Sequence, residues 1–232
     1  MNSLVIIPTY NEKNNIQKIA EKVLSLDNNF KVLIVDDNSP DGTGILADEL
    51  SRKHERVSVL HRTCKLGLGT AYVEGFKYAL SKDDIAYVFE MDADFQHDPN
   101  DLLRMRDGLI DAEVVVGSRY KEGIRVRNWE LSRLFVSKLA NMFVSFIIGI
   151  PVYDSTAGFI GYKKEVLKSI DIEGIATNGY GFQIEMKYKA NKKGFKIKEI
   201  PIVFHGRREG ESKFDFKIIK EAFFLVWKLR CQ

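Results

Sequence analysis

Two aspartates separated by one small residue stand in the segment Asp92-Ala93-Asp94-Phe95-Gln96. Alternate residues of an extended segment share a face, so both carboxylates can point the same way. Like charges this close raise one another's pKa unless a cation lies between them. A divalent cation that prefers hard oxygen ligands, magnesium or manganese, is the natural guest, and the side-chain carbonyl of Gln96 offers a further oxygen. Such an ion keeps several waters and takes diphosphate oxygens readily. A solvated turn or a helix cap ahead of Pro99 would use the same residues. The apolar strand Ala86 to Met91 that delivers Asp92 favours the metal reading. His97, in His-Asp-Pro before a helix, fits a loop-packing role better than a ligand role.

A second acidic segment is Asp36-Asp37-Asn38-Ser39-Pro40-Asp41-Gly42. A carboxylate there can hold a ribose or the N–H edge of a base, while Asp41-Gly42 suits a turn. Asp36 and Asp37 stand as alternatives for the ligand. Gly67-Leu68-Gly69 is only loosely similar to a phosphate-cradling turn and lacks the P-loop lysine. After the first strand, Pro8-Thr9-Tyr10-Asn11-Glu12 replaces the dinucleotide fingerprint, which argues against a dehydrogenase. Arg119, Arg133, Arg207, Arg208 and Lys213 form a basic set suited to a diphosphate leaving group and a phosphate acceptor. The glycine-containing run Arg207 to Lys213 follows a strand and reads as a lid over the site.

Buried strands are expected at Leu4–Ile7, stopped by Pro8, and at Lys31–Val35, Val57–Leu60, Ala86–Met91 and Val114–Val116. Helices are expected between them. The first is capped by Asn11, and the second, Gly42 to Lys53, turns Ile45, Leu46 and Leu50 inward. This alternation implies an α/β fold with a mostly parallel sheet and right-handed crossovers. Ligands then bind beyond the carboxyl ends of the strands, where four polar clusters should converge. After residue 120 the alternation breaks. A long helical stretch from Trp129 to Ile150, strands at Phe159–Tyr162 and Ile197–Phe204, a helix near Gln183–Lys192 and a final amphipathic helix near Asp215–Arg230 are expected.

The chain has 232 residues, 45% hydrophobic and 29% charged, which suits one soluble α/β domain with an appendage. A formal charge of +3 is too small to argue for nucleic acid, although the Lys/Arg-rich end suits an anionic substrate or a membrane surface. Cys64 and Cys231 form no metal or redox motif and read as free thiols in a reducing cytosol. No signal peptide is expected ahead of the first strand, and no apolar stretch is expected to reach the roughly 20 residues of a bilayer span. The long helix and the final helix, with Phe216, Ile219, Phe223 and Val226 on one stripe, can each lie in an interface or pack on the sheet.

The ordered motifs Pro8 to Glu12, Val35-Asp36-Asp37 through Asp41-Gly42-Thr43, Met91 to His97, Gly117-Ser118-Arg119-Tyr120, Asn128-Trp129 with Ser132-Arg133, and Gly210-Glu211-Ser212-Lys213 resemble the inverting GT-A glycosyltransferases of family 2. More closely, they resemble the polyprenol-phosphate (dolichol-phosphate) mannosyltransferases. The resemblance implies a GT-A, Rossmann-like catalytic domain over 1–212 and an amphipathic, membrane-associated helix over 213–232. It implies inverting transfer of mannose from GDP-mannose to a polyprenyl (dolichyl) phosphate with Mg2+ or Mn2+. The implied setting is peripheral, on the cytoplasmic face of a membrane, with a membrane-anchoring partner as an option. Pro8, Tyr10, Glu12, Val35 and Asp37 would line the nucleoside pocket. Asp92 and Ala93 would contact the nucleotide, while Asp94 and Gln96 would hold the metal. Arg119, Arg207 and Lys213 would bind the diphosphate or acceptor phosphate, Arg133 would face the acceptor, and Glu185 would take a supporting role. One departure is Ile160, where the family often carries arginine. The alternatives are transfer of glucose or another sugar from a UDP-sugar, a nucleotidyltransferase, or a non-catalytic nucleotide-binding membrane adaptor.

Overall fold

The structure, a computed structural model, describes residues 1–175, 177, 179–206 and 225–230. The first half alternates as expected: β1 (Asn2–Thr9), α1 (Ile16–Leu26), β2 (Phe30–Asp36), α2 (Thr43–Lys53), β3 (Val57–His61), α3 (Leu68–Leu80), β4 (Ile85–Glu90), α4 (Asp101–Asp111) and β5 (Val114–Ser118). The second half adds β6 (Val126–Arg127), α5 (Leu131–Ile148), β7 (Ile160–Lys163), α6 (Lys164–Ser169), α7 (Tyr180–Lys192), β8 (Ile197–Pro201) and β9 (Phe204–His205). Seven strands form one sheet in the order β3-β2-β1-β4-β7-β5-β8, and β6 pairs with β9 apart from it. Only β7 runs antiparallel to its neighbours in the large sheet. This is the GT-A arrangement of a mostly parallel sheet flanked by helices.

Both faces of the sheet are covered, which is why its central strands read as unbroken apolar runs. One face packs Val5, Ile7, Val32 and Ile34 under α1, α2 and α4; the other packs Leu4, Ile6, Leu33 and Val35 under α3, α6 and α7. The helices offer apolar residues at helical spacing, such as Ile16, Ile19, Ala20 and Val23 of α1.

Three local expectations are corrected. Pro8 does not stop β1, which runs on to Thr9. The Ile6 carbonyl accepts from Met91 N on the β4 side, so the Pro8 nitrogen, two residues on, faces that side, where pairing with β4 has ended at Glu90. Asn11 does not cap α1; it sits at φ 62° in the preceding turn, and Asn15 is the N-cap residue. Ile45 is 68% exposed, because α2 buries Thr43, Ala47 and Leu50 and turns position 45 outward.

The last helix is described only over 225–230. There Leu225, Val226 and Leu229 pack with Val144 and Ile148 of α5 and Ile184 of α7, so this part belongs to the body of the protein. Residues 216, 219 and 223 of the proposed stripe lie outside the described residues. Contrary to expectation, α5 is an 18-residue helix of mean hydropathy 1.5, long and apolar enough to cross a membrane by length and composition. The polar residues Asn141 and Ser145 both sit inside it. Its inward bonds hold it along the domain: Asn141 and Ser145 bond to the segment 152–156, and Ser137 to Tyr120.

Gly161 sets how closely β7 can approach both neighbours. A Cβ there would meet the Phe89 ring and lie 2.8 Å from a Val115 methyl. Gly161→Val should therefore cost about 2 kcal/mol through overpacking, read as a lower urea midpoint. An unchanged midpoint would show that β4 and β5 can part to admit a side chain.

Candidate active site

The carboxyl ends of β1, β4 and β5 meet at one cavity of about 820 Å3. Pro8, Tyr10 and Glu12 line it from β1, Asp92, Ala93, Asp94 and Gln96 from β4, and Gly117 and Arg119 from β5. Arg133 and Trp129 close one side. The expectation of four converging strand ends is met by three, because neither Asp36 nor Asp37 at the end of β2 lines the cavity.

The acidic segment is not extended, as the sequence argument supposed. The strand ends at Glu90, and a turn begins at Ala93. Phe95 adopts φ 59°, a left-handed conformation rare for a bulky residue. That turn lets Asp94 Oδ1 accept from Gln96 N at 3.1 Å and keeps Asp92, Asp94 and Gln96 on one cavity wall. Among the described residues no group of three or more His, Cys, Asp or Glu side chains gathers as a metal-binding cluster. Two carboxylates and an amide oxygen still fit magnesium or manganese, which complete their shells with water and substrate phosphate oxygens.

His97 is a packing residue. It stacks on Phe159 at 4.9 Å and meets Phe204 edge-on, and burial lowers its pKa to about 3, so it is neutral. The Gln96 carbonyl accepts from His205 N at 3.1 Å. This bond ties β9 to the acidic turn two residues before Arg207. Arg207, Arg208 and Lys213, with the lid expected there, lie outside the described residues.

The two candidates at the end of β2 separate clearly. Asp36 is spent on the turn, accepting from Thr9 Oγ1 at 3.0 Å, Ser39 N at 3.1 Å and Ser39 Oγ at 2.6 Å. Asp37 instead forms a buried pair with Arg62 at 2.6 Å, and burial raises its carboxyl above the ordinary value against the pull of that arginine. Arg62 also donates to Thr70 Oγ1 at 2.6 Å, which ties Asp37 to the start of α3. The Val35 side chain is wholly buried in the core and does not reach the cavity. Asp41 accepts from Thr43 and Lys13, so Asp41 and Gly42 form the expected turn. Lys65 lies 3.9 Å from the Tyr10 ring centre, at the same end.

Arg119 is held tightly. Its Nε and Nη2 donate to the two oxygens of Asp154 at 2.8 and 2.6 Å, and Nη2 also donates to Thr156 Oγ1 at 2.8 Å. Burial alone would raise the Asp154 carboxyl, but the guanidinium charge and hydrogen bonds outweigh it and hold it low. Arg133, in the first turn of α5, lies over the Trp129 ring at 4.0 Å. Together the two arginines form a cationic wall.

The sequence reading missed the wall supplied by Thr156, Ala157, Gly158, Thr177, Tyr180 and Gln183. On α7 the cavity is lined by Tyr180, Gly181 and Gln183, not by Glu185. Two positions along a helix differ by about 200°, so Glu185 turns away to accept from Thr177 Oγ1 at 2.8 Å and to pair with Lys189 at 3.2 Å. Gln183 donates to Glu90 at 2.5 Å, and burial pushes the Glu90 carboxyl up to about 7. Ile160 lies beside Glu90 in register and is wholly buried, so the departure from the family pattern falls in the layer beneath the cavity.

The family description "Glycosyl transferase family 2" matches residues 4–171. The polyprenol monophosphomannose synthase of Mycolicibacterium smegmatis is 44% identical over 232 residues, covering 98% of this chain and 87% of that protein. The undecaprenyl-phosphate mannosyltransferase of Micrococcus luteus is 40% identical over 222 residues, covering 96% and 91%. Among solved structures, a Mycobacterium tuberculosis glucosyl-3-phosphoglycerate synthase in complex with Mn2+, UDP and glucosyl-3-phosphoglycerate superposes with TM-score 0.69 at 17% identity, covering 99% of this chain and 80% of that one. That likeness supports the GT-A fold, and the sequence matches reach further: this chain belongs to the family 2 glycosyltransferases.

Proposed function

We propose that this protein transfers mannose from GDP-mannose to the phosphate of a polyprenyl (dolichyl) phosphate, with inversion at the anomeric carbon. The observation that carries the reading is the cavity's polarity and its exit. An acidic turn forms one wall, Arg119 and Arg133 form another, and Arg133 begins a helix whose outer face is apolar. Leu131, Phe135, Leu139, Met142 and Phe146 of α5 are all exposed, Phe146 at 83%. A phosphate with a long hydrocarbon tail matches that sequence of surfaces. The names of the two relatives, a polyprenol monophosphomannose synthase and an undecaprenyl-phosphate mannosyltransferase, support mannose and a polyprenyl acceptor.

In this reading Asp92, Asp94 and Gln96 hold a divalent cation, whose chemistry is to neutralise charge on the departing diphosphate. Pro8, Tyr10 and Glu12 seat the nucleoside end, and Asp37 supports it through the Arg62 pair. Arg119 and Arg133 orient the incoming phosphate. One phosphate oxygen forms the bond to the anomeric carbon as the bond to the nucleoside diphosphate breaks. A phosphate is already anionic near neutral pH, so a general base is not required. The outward turn of Glu185 is consistent with this. Catalysis then rests on placement and charge complementarity. Arg207 and Lys213 are proposed to complete the diphosphate clamp, and the exposed face of α5 to rest on the cytoplasmic face of a membrane.

Asp94→Ala with saturating manganese should lower turnover by about a hundredfold or more, measured as lipid-linked mannose formed. Near-normal turnover would sink the site assignment. Arg62→Met should leave Asp37 buried without its cation, costing about 3 kcal/mol of stability and weakening GDP binding in calorimetry. Unchanged GDP affinity in the folded variant would separate Asp37 from the nucleoside pocket. Phe135→Asp combined with Phe146→Asp should abolish flotation with anionic liposomes. Flotation equal to wild type would remove α5 from the membrane contact.

A further inference from the structure

Thr156 and Ala157 of segment 154–157 line the cavity, and two buried polar side chains from two different helices hold that segment. Lys187 of α7 is wholly buried. Its ammonium donates to the carbonyls of Ser155 at 3.0 Å, Ala157 at 2.8 Å and Gln183 at 3.2 Å. Three N–H donors meet three backbone oxygens, so the ammonium is saturated by main chain. The charged groups around it are Asp154 from the same segment, Glu90 from β4, Arg119 from the end of β5 and Glu199 from β8. Burying an ammonium is costly, and a methionine of similar length would fill the space without that cost. What a methionine cannot do is draw three carbonyls, which repel one another, to one point.

The second is Asn141 of α5, 1% exposed on a helix whose outer face is apolar. Its Nδ2 donates to Ser137 O at 2.8 Å and to Thr156 Oγ1 at 3.2 Å. Its Oδ1 accepts from Ser155 Oγ at 2.8 Å and Thr156 N at 3.0 Å. All four bonding positions of the amide are filled. The gripped segment in turn supplies Asp154 and Thr156, the two residues whose oxygens hold Arg119.

We propose that Lys187 and Asn141 are positioning residues that together set segment 154–157 and, through Asp154 and Thr156, aim the guanidinium of Arg119 into the cavity. Neither residue lines the cavity. The proposal rests on the reading of Arg119 as a phosphate ligand, so its test includes a readout independent of transfer.

Lys187→Met and Asn141→Leu keep the approximate volume of each side chain and remove its hydrogen bonds. GDP affinity measured with manganese should stay within twofold of wild type. Turnover should fall at least tenfold, with a raised KM for a short polyprenyl phosphate. The Nε–H resonance of Arg119, assigned by its loss in Arg119→Lys, should shift or broaden in both variants. A merely structural role would lower thermal stability without this split between nucleotide and acceptor. A folded variant that keeps both the Arg119 resonance and the acceptor KM of wild type would overturn the proposal. If Lys187→Met does not fold, Asn141→Leu decides it alone. If the wild-type protein transfers no mannose, the functional reading fails, while the Arg119 resonance still decides this one.

Discussion

A guanidinium and a carboxylate stripped of water hold the second half of the molecule to the first. Arg119 leaves the end of β5, and Asp154 sits in the segment that leads from α5 into β7. Desolvation works against both ions, and only a bidentate geometry with further bonds offsets it. Asp154 has those bonds: it also accepts from the Arg119 backbone N–H, and its own N–H donates to Glu199 of β8 at 3.0 Å. Remove either partner and an uncompensated charge remains beneath the cavity. Three separate pieces of chain, the β5 end, the 152–158 segment and β8, therefore share one electrostatic knot.

The cavity inherits its polarity from that knot. Carboxylates arrive on the turn after β4, and cations arrive from β5 and α5, so groups of opposite charge line one cavity. The helix that carries Arg133 reverses the usual arrangement of a surface helix. Ser137, Asn141 and Ser145, spaced by four, face the domain and are hydrogen-bonded, while the leucines, phenylalanines and methionine face outward. An inward polar stripe is stable only because each member finds a partner in segment 152–156 or at Tyr120.

Much of this was legible before any coordinates. Unbroken apolar runs and period-3.6 patterns located the strands and helices of the first half, and the acidic and aromatic motifs at β1 and β4 line the cavity. What escaped the sequence depended on non-local contact. Arg62 looks like a surface arginine after β3 and becomes a ligand of Asp37 only because β2 and β3 are neighbours. Gln183 and Lys187 carry no motif. Their roles exist only once α7 packs against the segment before β7. Glu185, expected in a supporting role, does not line the cavity and meets it only through the hydroxyl of Thr177. The antiparallel β7 was expected as a strand, but nothing in its four residues announces its direction or its place between β4 and β5.

That placement has a kinetic consequence. β5 neighbours only β7 and β8 in the sheet, so until residues 160–163 are available it has no strand to pair with, and β4 presents an open edge. During synthesis the first 118 residues can assemble the β3-β2-β1-β4 half, but that half ends in a bare row of backbone donors and acceptors. The long α5, with its apolar outer face, emerges from the ribosome during the same interval. The nascent chain thus exposes an unsatisfied edge beside an oily helix until a four-residue strand slots in and closes the edge, a window in which chaperone engagement would matter most, while the apolar outer face of α5 stays exposed in the folded protein.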